Sequence, residues 1–196
     1  SVTLIFPFDK YTDSLRKIGC KVINWKLNRN SINPFREIYS IIDLIIILNK
    51  VKPDISHAFT IKACLYGTIA GRFIGTETNI NSITGLGHVF LSHKLRTFFL
   101  RKFLIGVYRL VLNHKNSYLI FQNNQDKKLF LKLGIVLEKK SFLIRGSGVD
   151  TKYFKSEKKE VKLKDKNEIK ILFPSRIIRQ KGIFELTTAC KKLYEE

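Results

Sequence analysis

The chain has 196 residues, 44% of them hydrophobic and 12% aromatic, enough to bury a full core and too apolar for a chain disordered throughout. Its three cysteines, Cys20, Cys64 and Cys190, are odd in number and far apart, which excludes a disulfide-stapled scaffold and points to a reducing compartment. Lys and Arg number 36 against 16 Asp and Glu, a net charge of +20 that favours polyanionic partners: nucleic acid, an anionic membrane surface or phosphorylated ligands.

Short β-rich runs alternate with helical ones. Residues 2–6 predict a strand closed by Pro7, 12–18 a short helix ended by Gly19, and 21–25 the next strand. Pro34 stands where the first turn of a helix tolerates a missing N–H, and an apolar run continues to Leu48. That run is apolar on nearly all sides, so it is expected to be packed between layers. It falls well short of the ~18 apolar residues a membrane-spanning helix needs, and it carries Asp43. No signal-peptide pattern opens the chain; it begins at Ser1 and contains no Met, so the natural start is expected upstream.

Pro53-Asp54 introduces a strand over 55–58, followed by a helix over 60–73 that Gly75 ends. A strand over 78–83 runs into the loop Thr84-Gly85-Leu86-Gly87-His88, and a long helix covers 93–114. Residues 117–121 predict a strand, 124–133 a helix capped by Gly134, and 141–145 a further strand. Strands alternating with helices of this length predict an α/β fold, a doubly wound, Rossmann-like parallel sheet with helices on both faces. Composition changes after Phe154. The next dozen residues are almost all charged; then 169–174 predict a strand and 182–194 a helix. One strand and one helix cannot bury a sheet face. The expected organisation is a domain over 1–154, a Lys-rich linker over 155–168 and the opening of a truncated second domain over 169–196.

Several chemistries lack their residues. There is no Gly-x-Ser-x-Gly elbow, no Walker A loop and no complete dinucleotide fingerprint. His57, His88, His93 and His114 and the cysteines show no metal-ligand spacing, and no Asp-x-Asp occurs, so no metal is expected. The segment Ile171-Leu-Phe-Pro-Ser-Arg176-Ile-Ile-Arg179-Gln-Lys181-Gly182 is the most informative: a strand, a basic loop, then a helix start. Loops at the carboxyl ends of parallel strands bind ligands, and a helix N-terminus offers free N–H groups to an anion. Arg176 could grip a phosphate with two donors while Lys181 adds a point charge; the other reading is a solvated loop in a Lys-rich chain.

No acidic residue occurs from Thr78 to Gln125, while Lys94, Arg96, Arg101, Lys102, Arg109 and Lys115 are basic and interleave with Leu95, Phe98, Phe99, Phe103, Leu104, Tyr108 and Leu112. A basic amphipathic helix rich in aromatics suits a membrane interface; an ordinary helix with its stripe on the sheet gives the same pattern.

Ser175-Arg-Ile-Ile-Arg-Gln-Lys-Gly182 before a helix resembles the start of the second domain in glycosyltransferase family 4, of the GT-B type. Three further stretches are similar to that family in order and spacing: Pro53-Asp-Ile-Ser-His57-Ala-Phe-Thr-Ile-Lys62, then Thr84-Gly-Leu-Gly87, then Phe121-Gln-Asn-Asn together with Ile144-Arg-Gly-Ser-Gly-Val-Asp150. The resemblance implies a retaining transferase of cell-surface polysaccharide assembly that takes a nucleotide-diphosphate sugar, UDP-linked, and needs no metal or other cofactor. It implies that Arg176 and Lys181 bind the donor diphosphate, and that His57, Lys62, Thr84, Gly85 and Gly87 line the acceptor side of the cleft. At Phe59 other branches carry His, and at His88 an aromatic, so no catalytic role carries over to either. The implied partners are the donor, a lipid-linked saccharide acceptor and an anionic membrane surface met by Lys94, Arg96, Arg101, Lys102 and Arg109, with no nucleic acid; the implied location is cytoplasmic and peripheral to the membrane.

Glu160 and Glu168 match the family's late Glu-x7-Glu spacing but lie in the Lys-rich linker without its glycine and apolar context, a coincidence of arithmetic. The family's first strand and Gly-rich loop are expected before Ser1, and the chain by itself is expected to be inactive. Two other readings stay open: a non-enzymatic polyanion or nucleic-acid binder using the +20 charge, and a GT-B-fold sugar-nucleotide epimerase.

Overall fold

A computed structural model describes residues 1–28, 31–85, 95–146, 148–155 and 171–195, with backbone only at 95–99 and 180. Its chain divides into two units, Ser1–Gly148 and Val149–Glu196. In the first, β1 (Thr3–Phe6) pairs in parallel with β2 (Lys21–Asn24), the short helix α1 (Thr12–Lys17) running between them in sequence. In the following helix α2 (Pro34–Val51) Pro34 occupies the first turn, as expected, and Asn33 caps it through a bond from the Phe35 N–H.

A four-stranded sheet follows, β3 (Ile55–Phe59), β4 (Thr78–Ile83), β5 (Ser117–Phe121) and β6 (Ser141–Leu143), in that spatial order and parallel throughout. Helices α3 (Ile61–Ile74), α4 (Leu95–Leu112) and α5 (Asn124–Lys132) alternate with its strands. The α/β class and parallel Rossmann-like pattern are thus those of the structure. The main core lies under these three helices, where Ile83, Leu119 and Phe121 of the sheet meet Cys64, Tyr108, Leu112 and Phe130. Full burial of each large apolar side chain contributes about 1.5–3 kcal/mol. A polar chain is sealed into the same face: Thr68 donates to the Asn81 side-chain oxygen at 3.1 Å, and Asn81 Nδ2 donates to Ser117 Oγ at 3.0 Å. Thr68, Asn81 and Ser117 thus satisfy one another, as burial demands, whereas the side chain of Asn79, buried on the same face, has no partner.

A second core ties the β1–β2 pair to α3 through α2. Ile5 and Ile23, register partners in β1 and β2, pack with Trp25, Leu44, Ile47 and Leu48, and Ala70 of α3 closes the cluster. Trp25 Nε1 donates to the Ser40 carbonyl at 2.8 Å, and the Lys26 N–H to Asp43 at 2.9 Å. The opposite face of the four-stranded sheet carries Ile55, His57 and Phe59 with their register neighbours Ile80, Ile120 and Phe142. Ile55, Phe59 and Phe142 are about half exposed there.

Two expectations are corrected. Helix α2 is not enclosed between layers: Ser40, Leu44, Ile47 and Leu48 are buried, but Phe35, Ile38, Ile42 and Ile46 on its other side are exposed. It packs on α3 and on the β1–β2 pair, and no described element covers its far side. In the second unit, residues 171–174 form no strand, 169–170 lying outside the described residues. A strand exists through a ladder with a neighbour, and among the described residues of that unit there is none. What forms is a tight 3-10 turn, Arg179–Lys181, ended by Gly182 at φ 79°, and helix α6 (Ile183–Glu195).

Candidate functional site

The carboxyl ends of β3 and β4 lie side by side, the edge where α/β sheets take ligands. Alternation along β3 puts His57 and Phe59 on one face, next to Ser82 of β4. His57 Nε2 and Ser82 Oγ are 2.8 Å apart, and the His57 ring stacks on Phe59 with centroids 4.3 Å apart. Partial burial pushes the His57 imidazole below its ordinary range, so the ring is neutral at pH 7. It is held on one nitrogen and on one face.

Thr60 joins β3 to α3 at φ 73° and ψ 148°, a conformation nearly reserved for glycine. Its N–H donates to the Ser82 carbonyl at 3.2 Å and its carbonyl accepts from Cys64 N at 2.9 Å. Such a backbone stores on the order of 1–3 kcal/mol. The strain sits at the point where chain direction changes beside His57. Cys64, one turn into α3, is no nucleophile: it is fully buried and burial pushes its thiol up to about 12.

Lys62 is not a free charge. Its ammonium lies 2.7 Å from Glu37 of α2 and donates to the carbonyls of Asn28 and Ser31 at 3.0 and 2.9 Å. Tyr66 OH donates to the same Glu37 oxygen. Burial alone would raise the Glu37 carboxyl, but the bonds from Lys62 and Tyr66 outweigh it and hold the group below its ordinary range. Burial, then the hydrogen bond to Glu37 and its charge, pushes the Tyr66 phenol far up, so it stays protonated. Lys62, Glu37 and Tyr66 therefore tie the loop after β2 to the first turns of α3, on the ligand edge. Neither Glu37, Tyr66, Ser82 nor Thr60 stands out in the sequence. The ion pair joins residues on separate helices, and a strained threonine has no compositional signature.

Thr84 and Gly85 follow β4 and are exposed; a Cβ added at Gly85 would meet nothing within 4 Å, so local packing does not demand glycine there. Gly87, His88 and Lys94 lie outside the described residues, as do Glu160 and Glu168. In the Phe121-Gln-Asn-Asn stretch, Asn123 caps α5: its Oδ1 accepts from the Asp126 N–H at 2.8 Å and its Nδ2 donates to the Asp126 carboxylate at 3.0 Å. Asp150 likewise accepts from the backbone N–H groups of Lys152 and Tyr153.

On α4, Arg101 is half-buried and Lys102 exposed, while Arg109 Nε donates to the Leu133 carbonyl at 2.6 Å and so also ties α4 to the end of α5. Only the backbone of Arg96 is described. In the second unit Arg176, three residues before the turn into α6, and Lys181, the last residue of that turn, are both exposed. Among the described residues neither side chain makes an ion pair or hydrogen bond, so two cations stand unneutralised beside a helix N-terminus.

Among the described residues no three His, Cys, Asp or Glu side chains converge as metal ligands, and no helix is long and apolar enough to cross a membrane. A cavity of about 410 Å³, lined by Lys52, Asp54, Gly75 and Glu77 among others, lies where β3 and β4 begin, at the opposite end of the sheet.

Residues 1–123 match the family described as glycosyl transferase 4-like. The chain is also similar to the N,N'-diacetylbacillosaminyl-diphospho-undecaprenol alpha-1,3-N-acetylgalactosaminyltransferase of Campylobacter jejuni, 27% identical over 203 residues that take in 100% of this chain and 54% of that protein. It spans about half the length of the curated relative it matches.

Proposed function

Because the chain belongs to the glycosyl transferase 4-like family, we propose that the complete protein moves a sugar, with retention of configuration, from a UDP-linked donor to a lipid-linked saccharide in cell-surface polysaccharide assembly. The acceptor class is supported by the relative, whose name gives a diphospho-undecaprenol-linked sugar as its substrate. One observation carries the donor half: the unneutralised pair Arg176 and Lys181 at the turn into α6.

As the glycosidic bond of such a donor breaks, negative charge grows on the diphosphate oxygens. Arg176 meets them with two parallel N–H bonds, Lys181 with a compact charge, and the α6 N-terminus with free backbone N–H groups. No metal ion is needed to offset that charge. On the acceptor side His57, neutral and held by Ser82 and Phe59, presents its remaining nitrogen to a sugar hydroxyl. Thr84 and Gly85 border the same edge, and Lys62 acts there through the loop it holds in place. Lys102 and Arg101 of α4 bring the enzyme to the anionic cytoplasmic face of the membrane where a lipid-linked acceptor resides.

In the complete protein, Arg176→Ala and Lys181→Ala should each lower transfer of labelled sugar from UDP-sugar to a polyprenyl-diphosphate-linked acceptor by roughly 10²–10³-fold, with thermal unfolding unchanged. Near-normal turnover in both variants would overturn the donor-site assignment.

A further inference from the structure

Helix α2 carries two apolar faces, and the structure uses one. Ser40, Leu44, Ile47 and Leu48 are buried against α3 and the β1–β2 pair. Opposite them Phe35, Ile38, Ile42 and Ile46, recurring at steps of three and four residues, are exposed by 81, 54, 49 and 50%. An exposed apolar stripe that repeats with the helix marks an interaction surface, where single scattered residues would not.

The surroundings say what meets it. Helix α3 packs on α2 and α4 packs on α3, so the outward residues of the three form one surface. To the α2 stripe it adds Phe73, Phe103 and Leu110, all well exposed. The exposed charges on the three helices themselves are basic: Arg36 and Lys50 on α2, Arg72 on α3, Lys102 and Arg109 on α4, with the exposed acids Asp54 and Glu77 confined to the loops that follow α2 and α3. The two acids of α2 are both engaged, Glu37 with Lys62 and Asp43 with the Lys26 N–H. A second copy of the chain seated here would set Arg36 and Lys50 against the same cations in a molecule of net charge +20. An anionic surface has the complementary sign.

We propose that the outer surface of the α2–α3–α4 layer is the face on which the protein lies against an anionic lipid bilayer. Phe35, Ile38, Ile42 and Ile46 enter the headgroup–acyl boundary while Arg36, Lys50 and Arg72 meet lipid phosphates. The proposal extends the membrane part of the functional reading, which rested on the charges of α4, and it adds an apolar anchor on a different helix. It does not depend on sugar transfer.

Flotation of the complete protein with vesicles of phosphatidylcholine alone, and of phosphatidylcholine mixed with phosphatidylglycerol, tests this. Binding should require the anionic lipid, and Ile42→Glu with Ile46→Glu should lower partition by on the order of tenfold or more. A Phe35→Trp variant guards against misfolding of the charged pair: the emission of its introduced indole should move to the blue on adding anionic vesicles and be quenched by brominated lipid. Unchanged flotation of the Ile42/Ile46 variant, or an indole emission that does not respond to vesicles in the Phe35→Trp protein, overturns the proposal. So does a gel-filtration shift from dimer to monomer in the Ile42/Ile46 variant with vesicle binding intact, which would make the stripe a self-association face. An Arg176→Ala protein that floats like the wild type supports it and keeps the lipid contact separate from the donor site.

Discussion

Lys62 has three N–H donors, and the structure supplies three acceptors: the Glu37 carboxylate and the carbonyls of Asn28 and Ser31. Replacing it with methionine keeps most of the stem and removes all three bonds, leaving a largely buried Glu37 without its charged partner, held only by the Tyr66 and Ser31 hydroxyls. Lys62→Met should therefore destabilise the protein by about 2 kcal/mol in urea unfolding, and adding Glu37→Gln should recover part of the loss. The pH dependence has a definite sign. Glu37 is held below its ordinary value, so its contribution is fully present above about pH 4.5 and disappears as pH falls through its lower folded value. The Lys62→Met protein should lack that acid-dependent loss. The sequence places Lys62 correctly on the first turn of the helix that follows β3. It says nothing of Glu37, because the pair forms only when α2 packs on α3.

At the scale of elements, two glycines give opposite tests. A Cβ at Gly71 of α3 would collide with the side-chain oxygen of Asn79, which is itself buried at the start of β4. Gly71→Ala should therefore destabilise by about 1–3 kcal/mol, as measured by thermal unfolding. Gly85→Ala meets open space, so its fold should be unchanged. A fall in transfer by that variant in the complete protein would then report on a ligand. Strand and helix positions were legible in the sequence because periods of two and near four, with Pro and Gly punctuation, are local properties. The covering of α2 was not, since a helix apolar all round reads alike whether its second face meets a layer or stands open. Of the strand expected over 169–174, the described residues 171–174 form none for a related reason: β propensity needs a partner strand to act on.

In the first unit α2 ties the β1–β2 pair to α3, and among the described residues that pair shares no ladder with the four-stranded sheet. The α/β class was legible from alternation alone, and the ligand edge followed from it, because strand ends and helix starts fix where His57, Lys62 and Thr84 fall. Which of those side chains are committed to local bonds could be learned only from the fold. The charge balance was equally plain in the sequence, yet its meaning depends on where the cations gather, and the helical layer supplies that. The separate β1–β2 pair also divides the unit in time. Among the described residues each of its two strands pairs only with the other, and the pair is anchored to α2 through Trp25 and Lys26 after β2, whereas Leu119 and Phe121 lie at the centre of a continuous ladder over a sealed core. In native-state hydrogen exchange, the amides of Thr3–Phe6 and Lys21–Asn24 should therefore lose their protons through a small local opening that leaves those of Ser117–Phe121 protected until the protein unfolds globally, making the pair a foldon of its own.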